Sequence, residues 1–392
     1  MTTAKISPLT TQTLQNPSTT ASSGRILAVD VLRGLTIMLM ILVNNSGEGA
    51  YWPLHHAQWN GWTPTDMVFP TFLFLMGTSM IFSDRSRQAK GLSKSSAVPH
   101  IFRRSVILFL LGLLVNTFPL FHMDTLRIFG VLQRFAICYF IISFLMLLNP
   151  KPRVRVIATV VILVAYWILM RFVPVPGAGM PVRDIPLLDP NQNLAAWLDR
   201  LILPAKRLYE GVRDPEGLLS TFPSLATTML GTLTGEWLLS DRTKPQKALG
   251  LLYAGVGCAV LGELWNPWFP INKKLWTSSY VLLAAGWSLL FLALCYWAIE
   301  IKGWKKGWTY PALVFGSNSI VAYVFSELLA PLVWFPFTGS GNSASVAKLT
   351  NSALHGLPVS LAFATLLYSL LYVFVCFWPV YFLYRRKIFV RV

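Results

Sequence analysis

Long apolar segments with few charges dominate this chain and limit what it can fold into. Ten of them approach the roughly 20 residues that a helix needs to cross a bilayer. They lie at 26–46, 66–83, 104–120, 127–148, 154–173, 218–240, 247–265, 275–299, 310–327 and 359–384. Only 12% of the residues are charged, about half the share of a soluble protein. The sequence therefore excludes an ordinary soluble enzyme and predicts an all-α polytopic integral membrane protein with about ten transmembrane helices.

The basic residues predict how the chain is oriented. A net charge of +17 arises from 33 Lys and Arg against 16 Asp and Glu. These cations form short runs between apolar segments rather than a basic domain, which argues against nucleic-acid binding and is typical of cytoplasmic loops. Most runs fall on one side of the membrane when both termini are cytoplasmic. Residues 1–24, rich in Thr, Ser and Pro, are predicted to be a disordered cytoplasmic tail.

The rest of the chain, 25–392, is predicted to be one transmembrane domain with a long outer loop at about 174–217. Apolar residues at helical spacing within 193–209 predict a helix lying in the membrane interface. A proline-broken stretch at 328–337 is too short to span and is interpreted as a re-entrant or interfacial piece. The spacing of Gly231 and Gly235 predicts close helix packing.

Polar side chains inside spans are expensive and are therefore functional candidates. With the predicted orientation they fall into an outer and an inner group, with Asn318 near mid-membrane, and the two groups could line the ends of one pathway. The outer group is Asn44, Asn45, Asn116, Asp124, Gln133, Arg134, Glu263 and Glu327, with His55, His56 and Asp66 in or beside the first outer loop. The inner group is Asp30, Arg33 and Glu236.

The first outer loop carries two adjacent histidines and no Lys or Arg. A histidine can exchange a proton near neutral pH or attack an acyl group; alternatively, these two cap helix ends or lie at the lipid headgroups. A metal site is disfavoured, because no carboxylate or Cys stands at ligand spacing. Asp66 either caps the second helix or orients an active-site histidine.

Arg134 lies inside the fourth apolar segment and needs an anionic partner. One interpretation is an internal salt bridge, with Asp124 or Glu327 as the acid. The other is that Arg134 holds an anionic or carbonyl group of a ligand.

At the inner face Asp30 and Arg33 are one helical turn apart and can pair with each other. Alternatively, Arg33 joins the loop residues Arg103 and Arg104 in binding phosphates that enter from the cytoplasm. The sequence leaves both interpretations open.

Six motifs follow one another along the chain. They read RILAVDVLRGLTIMLMILVNN, HHAQWNGWTPTDMVFPTFLFLMG, LRIFGVLQRFAICYF, DPEGLLSTFPS, NKKLWTSSYVLLAAG and FGSNSIVAYV. In this order, over about residues 25–385, they resemble the heparan-α-glucosaminide N-acetyltransferase family and its shorter bacterial relatives. The resemblance implies a transmembrane acyltransferase that moves acetyl from cytoplasmic acetyl-CoA to a glucosamine-type amine on the outer face, without a metal. It also implies a bacterial inner-membrane location in contact with membrane lipid, and it leaves open whether the protein is a homodimer.

The resemblance also implies roles for residues. The family's essential histidine matches His56, in the His-Ala-x-Trp-Asn-Gly motif, and its asparagine matches Asn44 by the Val-Asn pair or Asn45 by spacing. Asp66 is the remaining catalytic candidate. The candidate residues for acetyl-CoA are Asp30, Arg33, Arg103 and Arg104, and those for an amino-sugar or glycan acceptor are Trp59, Asn60, Asp124, Arg134, Asn318 and Glu327. Whether acetyl passes through His56 or directly to the acceptor stays open. The rival hypothesis is a transporter of sugars or their derivatives.

Overall fold

A computed structural model describes residues 26–47, 49–148, 151–305, 307–336 and 345–390; the predicted tail at 1–24 lies outside them. The described residues form thirteen α-helices joined by loops and short 3₁₀ turns, with no β-strand among them. The prediction of an all-α membrane protein is confirmed. The helices are α1 Leu27–Asn44, α2 Val68–Ala89, α3 Val98–Thr117, α4 Val131–Leu148, α5 Pro152–Phe172, α6 Leu194–Ile202, α7 Leu218–Leu239, α8 Lys244–Trp265, α9 Ser278–Tyr296, α10 Thr309–Ser317, α11 Ser319–Trp334, α12 Val346–His355 and α13 Leu361–Arg385.

Eight helical segments in the described part of the chain are long and apolar enough to cross a membrane, and the bent pair α10–α11 would make a ninth. They account for nine of the ten predicted segments. The tenth, α7, is also a helix of 22 residues, but it is not apolar enough to meet that criterion. It packs against α2, α4, α5 and α9, and its buried Ser and Thr residues face other helices, where polar side chains are tolerated.

The helix break predicted at 328–337 is wrong, because the chain is interrupted at a different position. The helix α11 continues through Pro331 to Trp334, and the chain bends by 84° at Asn318 instead. The Asn318 side chain donates to the carbonyl of Ile388 at 3.0 Å and accepts from the Val390 N–H at 2.8 Å. The C-terminal segment therefore stabilises the bend, whereas Pro331 removes only one intrahelical hydrogen bond. Phe337, the last residue of the predicted piece, lies outside the described residues.

Following the predicted orientation, we call the bundle end at Leu27 the inner end and the end at Asn44 the outer end. The 174–217 segment covers part of the outer end and contains α6, which is shorter than the predicted 193–209 helix. The side chain of Asn193 caps α6 by accepting the Ala196 N–H at 2.9 Å, and α6 ends two residues before Pro204. The position of α6 in the interface stays a prediction.

At the inner end, Glu236 of α7 joins three helices. Its carboxylate accepts from Arg155 of α5 at 2.8 Å and lies 3.6 Å from Arg85 of α2. Arg155 is buried, and a buried cation is tolerated when it is paired. Glu236 is thus explained by packing of the bundle.

The backbones of α2 and α7 touch through glycine. A Cβ atom on Gly231 would collide with the Phe74 carbonyl oxygen, and one on Gly77 with the Thr228 carbonyl oxygen. The packing predicted for Gly231 and Gly235 is therefore confirmed. The helices α1 and α10 meet in the same way, at Gly34 against the carbonyl of Ala312.

We expect Gly231→Ala to lower the thermal unfolding temperature of the purified protein in detergent. The new methyl group must push α2 and α7 apart, and such overpacking costs about 1–3 kcal/mol. Gly257→Ala is the matched control in α8, because a Cβ there meets nothing within 4 Å. That control should be neutral or slightly stabilising; equal losses for the two variants would contradict the interpretation.

Candidate active site

His56 and Asp66 form a hydrogen-bonded pair at the outer end. The Nδ1 atom of His56 lies 2.7 Å from Oδ1 of Asp66. The imidazole is half exposed, whereas only 1% of the Asp66 side chain is. Among the residues that the structure describes, Nε2 of His56 has no hydrogen-bond partner. When Nδ1 donates to a carboxylate, the lone pair is on Nε2, where it can accept a proton or attack an acyl carbon.

The 3₁₀ turn Pro64–Met67, just before α2, fixes the Asp66 carboxylate. Oδ2 of Asp66 accepts hydrogen bonds from the N–H groups of Thr63 and Ala57, each at 3.0 Å. The Tyr280 hydroxyl of α9 donates to the Asp66 carbonyl at 2.6 Å. Capping and orientation of the histidine were alternatives in the sequence, and this carboxylate does both, with one oxygen for each.

A lysine that sequence reasoning missed completes the cluster. Nζ of Lys273 lies 3.0 Å from Nδ1 of His56 and 3.3 Å from Oδ1 of Asp66. Burial lowers the pKa of Lys273, against the opposing attraction of the Asp66 carboxylate. Lys273 lies in the loop between α8 and α9, far from His56 in sequence, and its only signal was the NKKLW motif.

The neighbouring polar residues have hydrogen-bond partners other than His56. His55 places Nε2 at 2.9 Å from the Ala50 carbonyl. Asn45 donates to the Ile41 carbonyl of its own helix at 2.8 Å, whereas Asn44 donates to Glu327 of α11 at 3.0 Å. Asn44 is thus the amide directed toward another helix.

Trp59 and Asn60 anchor the first outer loop. The Trp59 indole donates to the Leu188 carbonyl at 2.7 Å, and the Arg213 guanidinium lies 4.4 Å from its ring centre. The side-chain oxygen of Asn60 accepts from Asn272 at 3.1 Å. These contacts join the loop to the 174–217 segment and to the loop that carries Lys273.

Arg134 is buried, but its partners differ from those predicted. It donates to the Pro215 carbonyl at 2.8 Å and to the Ser220 hydroxyl at 2.5 Å. It also lies over the Trp276 ring at 4.7 Å. Neither predicted acid pairs with it in the described part of the chain: Asp124 is exposed, and Glu327 pairs with Asn44. Pro215 belongs to the 174–217 segment and Ser220 to α7, so these partners come from parts of the chain that the pattern of spans does not place beside Arg134.

A second missed cluster lies in the DPEG motif. Arg127 binds the Asp214 carboxylate with two nitrogens, at 2.8 and 2.6 Å, and it also binds Glu216. Asp199 of α6 accepts the N–H groups of Asp214 at 3.1 Å and Leu218 at 3.3 Å. Because Asp199 is buried, its pKa is raised to about 6. The cluster fixes the entry into α7 beside Arg134.

A cavity of about 330 Å³ opens among α1, α2, α3, α4 and the α10–α11 bend. Arg33 and Arg104 both line it, together with His100, one turn before Arg104 on α3. The predicted pairing of Arg33 with Asp30 is confirmed at 3.1 Å, and Arg33 also donates to Ser79 of α2 at 2.6 Å; phosphate binding by Arg33 stays a prediction. Arg103 is exposed and is not among the residues that line this cavity.

The cavity follows α2 toward the His56–Asp66 pair. Ser83 and Phe72, which both line the cavity, are about three turns of α2 apart, or roughly 16 Å. Measured along the helix axis, Phe72 is about 9 Å from Asp66. Phe72 packs against Phe135 at 5.0 Å between ring centres. Both rings line the cavity. Asn318 lies beside the cavity at the α10–α11 bend, away from His56.

Within the described ranges, no group of three or more His, Cys, Asp or Glu side chains is arranged to hold a metal ion. The polar chemistry at the outer end comes from the His56 imidazole, the Asp66 carboxylate, the Lys273 ammonium and nearby amides.

Comparison with known proteins gives one matching family profile and two similar proteins. A family profile described as heparan-alpha-glucosaminide N-acetyltransferase, catalytic, matches residues 25–262. Heparan-alpha-glucosaminide N-acetyltransferase from Homo sapiens is 30% identical over 94% of this chain and 60% of its own length. The protein of the same name from Mus musculus is 31% identical over 81% of this chain and 55% of its own. The chain thus spans little more than half the length of these relatives.

The pH dependence of stability should report the burial of Asp199. The unfolded chain releases this proton near pH 4 and the folded protein near pH 6, so stability falls as pH rises through that window, by about 3 kcal/mol in total. Asp199→Asn should flatten the plot of unfolding temperature against pH between about pH 4 and pH 6. Asp184→Asn is the control, since the Arg183 hydrogen bond lowers the pKa of Asp184 to about 2. A wild-type slope in Asp199→Asn would refute the assignment.

Proposed function

Because the chain belongs to the heparan-alpha-glucosaminide N-acetyltransferase family, we propose that it is a transmembrane acetyltransferase that moves acetyl from acetyl-CoA to a glucosamine-type amine. The observation that carries the proposal is the layout along α2. A His–Asp pair stands just before the helix, and a cavity follows the helix from Phe72 toward the inner end, where Arg33 and Arg104 line it. Amine acetylation needs these two features, a base for the acceptor and a site for a polyphosphate donor.

His56 is the proposed base or nucleophile. A glucosamine ammonium must lose a proton before it attacks a thioester, and Nε2 of His56 can accept that proton while Asp66 stabilises the imidazolium. If Nε2 instead attacks the thioester, the carbon–sulfur bond breaks, CoA leaves as the thiolate and acetyl-His56 forms; the amine then takes the acetyl group, and the freed imidazole can accept the proton that the amine loses. Both routes need the same imidazole tautomer, with Nδ1 donating to Asp66.

Asn44 is the better-placed candidate for stabilising the oxyanion of the tetrahedral intermediate. Its amide is directed away from its own helix, whereas the Asn45 amide donates to Ile41. One such donor contributes about 3 kcal/mol to catalysis. The Glu327 carboxylate beside Asn44 can pair with the acceptor ammonium before its proton leaves.

The inner cavity is the proposed acetyl-CoA site. Arg33, Arg104 and His100 would hold the phosphates at its inner end, and the pantetheine arm would extend along α2 past Phe72. The thioester would then approach His56 from within the bundle. With the predicted orientation, the donor is cytoplasmic and the acceptor amine, on an amino sugar or a glycan, lies across a bacterial inner membrane.

Acetyl transfer is tested by incubating purified protein with labelled acetyl-CoA and a panel of amino sugars. We expect His56→Gln to reduce turnover at least a hundredfold, the usual range for loss of a general base, with acetyl-CoA binding retained. Asn45→Ala should have a much smaller effect than Asn44→Ala. Binding of acetyl-CoA without any acetyl transfer by the wild-type protein would refute the proposal and favour a transporter.

Neighbouring arginines give a matched test of the donor site. Arg104→Met should raise KM for acetyl-CoA about tenfold, since a charged hydrogen bond contributes about 1.5–3 kcal/mol, with little change in KM for the sugar. Arg103→Met removes the same charge one residue away, on the exposed side of α3, and should change KM less than twofold. Equal effects of the two variants would mean that the cavity is not the phosphate site.

A further inference from the structure

The Lys273 ammonium lies beside the His56–Asp66 pair, although Lys273 is far from both residues in the sequence. The proposed acetyl transfer gives Lys273 no role. It lies against Nδ1 of His56 and Oδ1 of Asp66, whereas Oδ2 is taken by the backbone of the first outer loop. Asp66 thus uses one oxygen to fix the loop and the other to face two nitrogen groups.

The surrounding loop holds Lys273 in this place. Asn272 is fully buried; its side chain accepts the Leu275 N–H at 2.9 Å and donates to Asn60 at 3.1 Å. The Lys273 carbonyl accepts the Trp276 N–H at 3.1 Å, and Trp276 adopts a left-handed backbone with φ of 54°. These contacts fix the backbone that carries Lys273, and its ammonium then reaches His56 and Asp66.

The protons that the three groups carry limit which hydrogen bonds they can form with one another. An ammonium only donates hydrogen bonds, and a neutral imidazole has one N–H. If Lys273 donated to Nδ1, the proton would be on Nε2, and His56 could neither accept a proton nor attack from there. If Nδ1 donates to Asp66, the ammonium must bond to Oδ1 and stand beside the ring as a positive charge.

We propose that Lys273 is a positioning residue that shares Oδ1 of Asp66 with His56 and, as a cation, opposes the charged form of the imidazole ring. The inference rests on the proposed acetyl transfer. In both routes the ring becomes positive, either as an imidazolium or as an acetyl-imidazolium. A fixed cation at Nδ1 destabilises that form, so His56 returns its proton or its acetyl group more readily.

Other charges lie around the cluster. Glu216, before α7, attracts Lys273, and Lys274 repels it. Lys274 itself binds Glu210 at 2.8 Å. The neighbouring lysines therefore have different partners, Asp66 for Lys273 and Glu210 for Lys274, which makes Lys274 a matched control.

The test compares Lys273→Met, Lys273→Arg and Lys274→Met in two measurements over about pH 5–8, where histidine titrates. The first is the pH profile of kcat/KM for acetyl transfer to an amino sugar. The second is the pH dependence of ethoxycarbonylation of His56 by diethyl pyrocarbonate, which modifies neutral imidazole and is read by peptide mass spectrometry. This second readout needs no turnover.

Lys273→Met should move the acid limb of both profiles to higher pH by about one unit, the usual size of one nearby charge. We also expect kcat to fall while KM for acetyl-CoA stays within twofold. Lys273→Arg should keep both profiles near wild type, and Lys274→Met should leave them unshifted.

An unshifted modification profile in Lys273→Met would overturn the inference, whatever happens to activity, because a merely structural lysine would not change the protonation of His56. Absence of acetyl transfer in the wild-type protein would refute the proposed function alone, since the modification profile would still decide the role of Lys273.

Discussion

The buried carboxylate of Asp66 holds the outer end of this protein together. One oxygen takes two backbone N–H groups of the first outer loop, and the other meets the imidazole and the Lys273 ammonium. An unpaired buried charge costs several kcal/mol, so the loop, the start of α2 and the loop before α9 must come together around this group. The geometry of the candidate site is therefore a condition of folding as well as of chemistry.

The same constraint explains how the chain distributes its few charges. Asp214 and Glu216 bind Arg127, and Glu236 binds Arg155. Each cluster brings opposite charges together close to the end of the bundle, where it also fixes a helix. Of the cations that line the inner cavity, Arg33 pairs with Asp30, whereas Arg104 lies over the ring of Tyr139 at 4.5 Å. Such a surface suits an anionic ligand.

Much of the fold was predictable, because the bilayer demands apolar helices of a fixed length and every predicted span is helical. His56 and Asp66 were predictable too, since polar residues in an apolar chain attract attention and the motifs surround them. Lys273 was not, because its contact with His56 depends on two distant loops meeting. The bend at Asn318 was not predictable either, because the hydrogen bonds of its side chain with Ile388 and Val390 cannot be read from a local pattern. His100 could have been identified from the local sequence, because it lies four residues before Arg104.

The glycine contacts have a mechanical consequence. Gly77 and Gly231 lock α2 and α7 into one stiff pair, and Gly34 against Ala312 locks α1 and α10 into another. The inner cavity lies between these two pairs, and the hydrogen bond from Arg33 to Ser79 joins them across it. A wider cavity would require the hydrogen bond between Arg33 and Ser79 to open and the packed faces of α1 and α2 to separate. Since each glycine contact makes its two helices move as a unit, the width of the cavity depends on how these two pairs sit against each other.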